Sequence, residues 1–266
     1  MTLIIQNLGS TNLLYAVSSF WVGVLVGMTG VGGGSLMTPL LILLFGVHPT
    51  TAVGTDLIFA ASTKTVGTLV HAAGRTIDWT VVGLLALGSV PATIGTLILL
   101  SRFDLHSATA QHFITATLGG VLLVTAIFLI AGGAIRERYA DRLNSLNPRT
   151  AAVSTIILGL LMGVLVTTTS VGAGAIGVTV LLFLHPKMPA SSVVGSDIAH
   201  AVPLTLLAGI GHWYLGSVDW SLLTTLLMGS VPGIVLGSYL ATRAREFVVR
   251  SALASVLVLV GVRLLS

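Results

Sequence analysis

Apolar residues run along this chain in blocks, near 11–31, 35–46, 51–73, 79–100, 109–131, 150–170, 175–184, 191–215, 220–241 and 247–265. The polar stretch RERYADRLNSLNPR, residues 136–149, separates them into two sets of five. Most blocks hold the roughly 20 residues a helix needs to cross about 30 Å of hydrocarbon. The second block of each set is too short to cross comfortably, and it follows a glycine-rich run: VGMTGVGGGS (26–35) and SVGAGA (170–175). Glycine weakens helices and unpaired backbone is costly in lipid. These runs therefore predict helix breaks that line a cavity or are buried in protein.

The two sets resemble each other. GVLVGMTGVGGGS (23–35) aligns with GVLVTTTSVGAGA (163–175) at an offset of 140, and VGTD (53–56) with VGSD (194–197) at an offset of 141. The offset of 141 also joins His71 to His212, Asp78-Trp79 to Asp219-Trp220, and GSVP (88–91) to GSVP (229–232). One register held across separate features marks a duplicated membrane unit. The expected division is a first repeat over 1–135, a cytoplasmic linker over 136–149 and a second repeat over 150–266.

Lysine and arginine positions decide the topology. With 136–149 inside, five crossings per half place Arg75, Arg136, Arg138, Arg142, Arg149, Lys187, Arg243, Arg245 and Arg250 inside. Only Arg102 and Arg263 fall outside, and Lys64 lies within a span. Four crossings per half give six against five. The positive-inside rule favours the odd count, which predicts inverted repeats with both termini outside. The expected fold is an all-α polytopic membrane protein of two inverted repeats, each of about five helical segments, with short or broken helices at the glycine motifs.

Composition sharpens this reading. Of 266 residues 55% are apolar and 8% charged, with a mean hydropathy of +1.04. A soluble domain carries about 25% charged residues, so this chain cannot build a water-facing surface. A pI near 10.0 would suggest nucleic acid in a soluble protein; here the positive excess is orientation signal, and no nucleic-acid partner is expected. The absence of cysteine excludes disulfides and thiolate chemistry. The N-terminus, MTLIIQNLGSTNLLYAV, lacks the basic start of a secretory signal, so the first apolar segment is expected to be retained.

The candidate chemistry is sparse. Inverted repeats with interrupted helices suit secondary transporters, with the substrate near the midplane between repeats. A short helix after each break would turn its N–H groups and positive dipole end towards that cavity, forming an anion site. This makes Gly30, Gly32, Gly33, Gly34 and Ser35, with Ser170, Gly172 and Gly174, candidate substrate contacts. Close helix packing through small residues is the alternative. Among the acidic residues only Asp56 and Asp197 fall inside apolar blocks, as repeat partners. They are candidates for proton coupling or substrate contact, although Thr55, Ser196 or the aspartates themselves could instead cap a helix.

Lys64 lies near the centre of its block, too deep to snorkel, and should face a partner or an aqueous cavity. Asp56, Lys64 and His71 share one helical face within about 80°; Asp197, Thr205 and His212 hold the matching positions. A direct Asp56–Lys64 bond would span about 12 Å of helix, so Lys64 reads as an anion-binding charge, with Thr205 as its counterpart. His71, His200 and His212 are further proton-coupling candidates. Pro203 should kink or break its helix, and the two Asp-Trp pairs read as helix starts and interface anchors. GVGGGS lacks the ending of a P-loop and the histidines lack metal-ligand spacing. No enzyme, cofactor or metal site is expected.

At GMTGVGGGSLMTPLL, VGTDLIFAASTKTVGTLVH and GSVPATIGT, repeated as SVGAGAIGVTVLL and VGSDIAHAVP, the chain resembles the TauE/SafE (TSUP) family of membrane transporters. The likeness covers nearly the whole chain. It implies secondary transport, as an exporter, of sulfur-containing anions such as sulfite, sulfoacetate and other organosulfonates across a prokaryotic-type plasma membrane. The second motif departs from the first, with Ser170, Ala173 and Ala175 in place of Gly30, Gly33 and Ser35. The expected partners are a small anion, the bilayer and a coupling ion such as the proton. A passive anion channel is the alternative.

Overall fold

The computed structural model describes the backbone of residues 2–29, 34–105, 107–144, 147–172, 174–241 and 246–266. Side chains are described at 13–28, 35–105, 107–131, 147–172, 174–237, 239–240 and 251–266. The described residues form ten helices and no strand. The first five are α1 (Thr2–Thr29), α2 (Gly34–Leu43), α3 (Pro49–Ala73), α4 (Trp79–Leu100) and α5 (Ala108–Asn144). The second five are α6 (Pro148–Thr169), α7 (Ala175–Leu184), α8 (Ala190–Tyr214), α9 (Trp220–Ala241) and α10 (Glu246–Leu265). Ten apolar blocks have become ten helices.

Local chemistry sets the boundaries. Asp78 caps α4, its carboxylate accepting from the N–H groups of Thr80 (2.9 Å) and Val81 (3.2 Å). Asp219 accepts from Leu222 N–H at 2.9 Å at the start of α9, so both Asp-Trp pairs do begin helices. Thr55 and Ser196, by contrast, do not cap their own helices. The helix α3 opens at Pro49 and α8 at Ala190, about two turns before these hydroxyls. The break allowed for at Pro203 is also absent, since α8 runs on to Tyr214; membrane helices absorb a lost N–H through their neighbours. The backbone of α5 continues to Asn144, extending helix into the polar stretch before Asn147 and Pro148 start α6.

Among the described residues, five stretches are long and apolar enough to cross a membrane: Trp79–Leu100, Ala108–Ala131, Pro148–Thr169, Ala190–Tyr214 and Trp220–Gly237. Large apolar side chains such as Leu69, Leu87, Ile127, Val235 and Leu259 cover the outside, as a lipid-facing surface requires. Helices that are apolar all round cannot be sorted by a buried stripe. Small residues do the sorting instead.

The halves interlock through these small residues. The helices α1 and α9 pack together, as do α4 and α6. A Cβ at Gly88 would stand 2.0 Å from the Ile156 carbonyl oxygen, and one at its counterpart Gly229 would stand 2.0 Å from the Ala16 carbonyl oxygen. The glycines of both GSVP motifs are therefore backbone contact points between repeats.

Repeat-related helices also pack on each other. A Cβ at Gly54 would lie 3.1 Å from His212 Cβ, and one at Gly195 would lie 2.9 Å from His71 Nδ1. Gly67 faces Ile198, and Gly209 faces Ile58. Residue numbers rise on α3 as they fall on α8, so the two helices run antiparallel. The helices α5 and α10 do the same, with Gly119 against Leu265 and Gly261 against Leu123. Across α3 and α8, equivalent residues of the two copies come level near 62–63 and 203–204.

Candidate functional site

The second glycine-rich run does break the helix. Ser170, in the left-handed region at φ 59°, ends α6. Gly172 (φ 124°) and Gly174 (φ 118°) take conformations that side chains resist, and Gly174 caps α7. The helix α7 then folds back along α6, because His185 just past its end shares a 2.9 Å hydrogen bond with Thr155 in the second turn of α6. Burial holds the His185 imidazole below its ordinary pKa, opposed by the nearby charge of Asp78. In the first run, Gly30, Gly32 and Gly33 lie outside the described residues. Gly34 opens α2, and Ser35 is buried.

Each short helix meets a carboxylate from the long helix that follows it. Asp56 on α3 is fully buried, and its Oδ2 accepts from the Thr38 hydroxyl of α2 at 2.5 Å. Ser170 approaches the same carboxylate, though its hydroxyl and Asp56 Oδ1 complete no hydrogen bond. Asp197 on α8 is equally buried, yet no side chain donates to either of its oxygens. Its carboxylate lies over the first turn of α7. A Cβ at Gly177 would be 2.0 Å from Asp197 Oδ1, and the N–H of Gly174 is turned towards it. A sequence difference explains the contrast: Val178 stands where the first half has Thr38.

Lys64 lies between these carboxylates. The antiparallel register of α3 and α8 puts it within about 2 Å, along the helix axis, of the level where equivalent residues meet. Asp56 and Asp197 fall about 10 Å to either side of that level. Lys64 is half-buried and within electrostatic range of both carboxylates, Asp197 more strongly than Asp56. Its charge also reaches His200, which lies one turn beyond Asp197 and shares a 2.8 Å hydrogen bond with Ser89 of α4.

The remaining sequence candidates sit elsewhere. Thr205 is buried and donates to the Ala201 carbonyl of its own helix at 2.8 Å. His71 and His212 lie about 22 Å along their helices from Asp56 and Asp197. His71 shares a 2.8 Å hydrogen bond with Thr76. His212 is buried and donates from Nε2 to the Thr167 carbonyl at 2.9 Å. Thr167 in turn donates to Thr93 at 3.3 Å. Among the described residues, no three or more His, Asp or Glu side chains are grouped to hold a metal.

Sequence reading missed Thr38, Ser89, Thr93 and Thr167. Ser89 stands inside the duplicated GSVP motif, and Thr38 lies one turn after the glycine run. Their positions were legible signals. The other two are hydroxyls in helices rich in them, and nothing in the chain sets them apart.

A helical membrane bundle that seats a lysine between two carboxylates, with a short helix facing each carboxylate, has the build of a multi-pass membrane transporter. Residues 15–264 match the family described as sulfite exporter TauE/SafE, and the chain belongs to that family. It is 39% identical over 249 residues to the probable membrane transporter protein YjnA of Bacillus subtilis, covering 92% of this chain and 96% of that one. It is 30% identical to YdhB of the same organism, also named a probable membrane transporter protein, over 95% and 100% of the two chains. A probable membrane transporter protein of Methanocaldococcus jannaschii is 24% identical over 95% and 94%. No solved structure matches the chain.

Proposed function

We propose that this transporter is a secondary exporter of small sulfur-containing anions, such as sulfite, sulfoacetate and other organosulfonates. The observation that carries the reading is Lys64, a cation held at the level where the two halves cross, between the N-termini of the short helices. A cation and free helix N–H groups converging at mid-depth suit an oxyanion. Ser170, Gly172 and Gly174 would supply contacts from one side, and Ser35 with the glycines at 30–34 from the other.

The same geometry supports a reading as inverted repeats. Equivalent helices that pack antiparallel, with α7 returning along α6, are what five alternating segments per half produce. Two such units rocking around Lys64 would give alternating access. Both termini would then lie outside and residues 136–149 in the cytoplasm.

The test is flux of labelled sulfite and sulfoacetate into proteoliposomes, preloaded with unlabelled anion or left empty. Uptake accelerated by the preload is expected of a carrier. Uptake indifferent to preload would favour a passive channel, and no uptake above protein-free liposomes would remove the sulfur-anion assignment.

A further inference from the structure

Asp197 is a buried carboxylate in the position where an anion would bind. It has no exposure, neither oxygen accepts from a side chain, and Oδ1 lies against the first turn of α7. The first-turn N–H groups of a helix have no intrahelical acceptor, and no side chain caps this one, although the Gly177 N–H reaches the Gly172 carbonyl at 3.4 Å. The chain's own carboxylate is thus aimed at the α7 terminus that the proposed substrate would use.

The charges nearby sharpen the conflict. From α3, Lys64 faces this region, with Asp56 on its far side; on α8 itself, His200 lies one turn on. The helix α7 carries no titratable side chain, α4 presents Ser89, and α6 ends in Ser170. With Lys64 charged and both carboxylates ionised, the interior holds one negative charge in excess. Adding an anion there raises like-charge repulsion in a medium that screens poorly. Neutralising one carboxylate removes the obstacle. Asp56 has a side-chain donor in Thr38, whereas Asp197 has only the Gly174 N–H turned towards it, and the buried carboxylate with the poorer donors is the costlier of the two to keep ionised.

We infer that Asp197 binds a proton that accompanies the substrate: the ionised carboxylate and the substrate anion exclude each other at the α7 N-terminus, so each anion is bound and carried together with a proton. This deepens the transport reading above and rests on it. The polar residues beside α8 fit the same role. Ser89, Thr93 and Thr167, with His200 and His212, form buried hydrogen-bonded pairs along that helix. The counterparts of His200, Thr93 and Thr167 in the other repeat are Phe59, Ile234 and Gly27, whereas Ser89 and His212 are matched by Ser230 and His71.

The experiment is calorimetric titration of methanesulfonate, ionised at every pH used, into the purified full chain in two buffers of different ionisation enthalpy. Chloride and nitrate run alongside as anions without sulfur. Wild type is expected to take up about one proton per anion, with affinity falling about tenfold per pH unit once Asp197 ionises. Asp197→Asn should bind with no proton uptake and a flat pH profile. Asp197→Glu should keep the uptake and shift the pH at which affinity starts to fall, which retains a test if the Asn variant does not fold.

Methanesulfonate bound without proton uptake, unchanged uptake in Asp197→Asn, or an unshifted profile in Asp197→Glu would overturn the inference and leave the transport reading standing. Chloride or nitrate bound with Asp197-dependent uptake, while sulfonate and sulfite do not bind, would keep the inference and remove the sulfur-anion reading. If no anion binds, both fall.

Discussion

Asp56 and Asp197 occupy the same position in two copies of one unit, yet their surroundings differ. Asp56 is held by Thr38 and approached by Ser170 from the other half. Asp197 faces the bare turn of α7, with Val178 in place of the hydroxyl and His200 in place of Phe59. Lys64 has Thr205 as its counterpart in the second repeat. The scaffold contacts, by contrast, are reciprocal: Gly88 and Gly229 touch backbone in the same way, and so do Gly54 and Gly195. Duplication has kept the packing and let the chemistry diverge. Under the proposed rocking of the two units, equivalent frames would exchange places while the charges they carry set what travels and what accompanies it.

The largest expected effect comes from the cation. Lys64→Ala should weaken anion binding by about 2–5 kcal/mol, the range for removing one partner of a buried charge pair. Sulfite flux and calorimetry read that loss, and thermal unfolding should change far less. Equal loss in both would make Lys64 structural. The exchange Lys64→Thr with Thr205→Lys moves the cation to the equivalent position across the crossing level. Recovery of part of the flux is expected if the two frames are interchangeable, and none if the site belongs to one half.

Next in size is the hydroxyl that separates the two carboxylates. Thr38→Val installs the residue found at 178 and strips Asp56 of its donor. A hydrogen bond to a charged group is worth about 1.5–3 kcal/mol, so denaturant unfolding should detect a loss of that order. Val178→Thr, which offers Asp197 the hydroxyl it lacks, should not destabilise. If Thr38→Val is neutral, the environments of the two aspartates are more alike than the hydrogen bonds indicate.

The reach of the sequence follows the same division. Apolar blocks and glycine runs are written in consecutive residues, so the helices α6 to α9 begin and end close to where the pattern places them. The duplication was legible because it repeats at one offset. Lys64, Asp56 and Asp197 stood out because an ionisable group in an apolar block is rare. What the chain could not show is which side chain meets which across helices. The hydroxyls of Thr55 and Ser196 looked like caps because local capping is the commoner use of that residue type. The pairings of His200 with Ser89 and of His212 with Thr167 join residues far apart in sequence, and helices apolar all round give no periodicity from which to derive them.

Reciprocity of the frame can be challenged directly. Gly88→Ala and Gly229→Ala each drive a methyl group to 2.0 Å from a carbonyl oxygen of the facing helix. No rotamer relieves a backbone clash, and overpacking costs about 1–3 kcal/mol. The two variants should lose similar stability in thermal unfolding. A large difference would show that the interfaces α4–α6 and α1–α9 are not equivalent, and the shared frame would lose its support.

The finest test concerns the hydroxyls that tie the halves together. Thr55 Oγ1 accepts the N–H of Asp219 at 3.0 Å, and Ser196 Oγ accepts the N–H of Asp78 at 2.9 Å. Each G-[ST]-D element therefore holds the turn that starts a helix of the opposite repeat, directly beside the aspartate at the site. Thr55→Ala or Ser196→Ala leaves one backbone donor without its acceptor, a loss of about 1 kcal/mol each. Because the two bonds sit at opposite ends of the α3–α8 pair, their losses should add in the double variant. Hydrogen exchange at the Asp78 and Asp219 amides resolves the two sites: each single substitution should speed exchange at its own turn and leave the other unchanged. Faster exchange at both turns from either substitution would mean that the halves move as one unit through α3 and α8. The aspartates, one residue away from these hydroxyls, would then sense that motion directly.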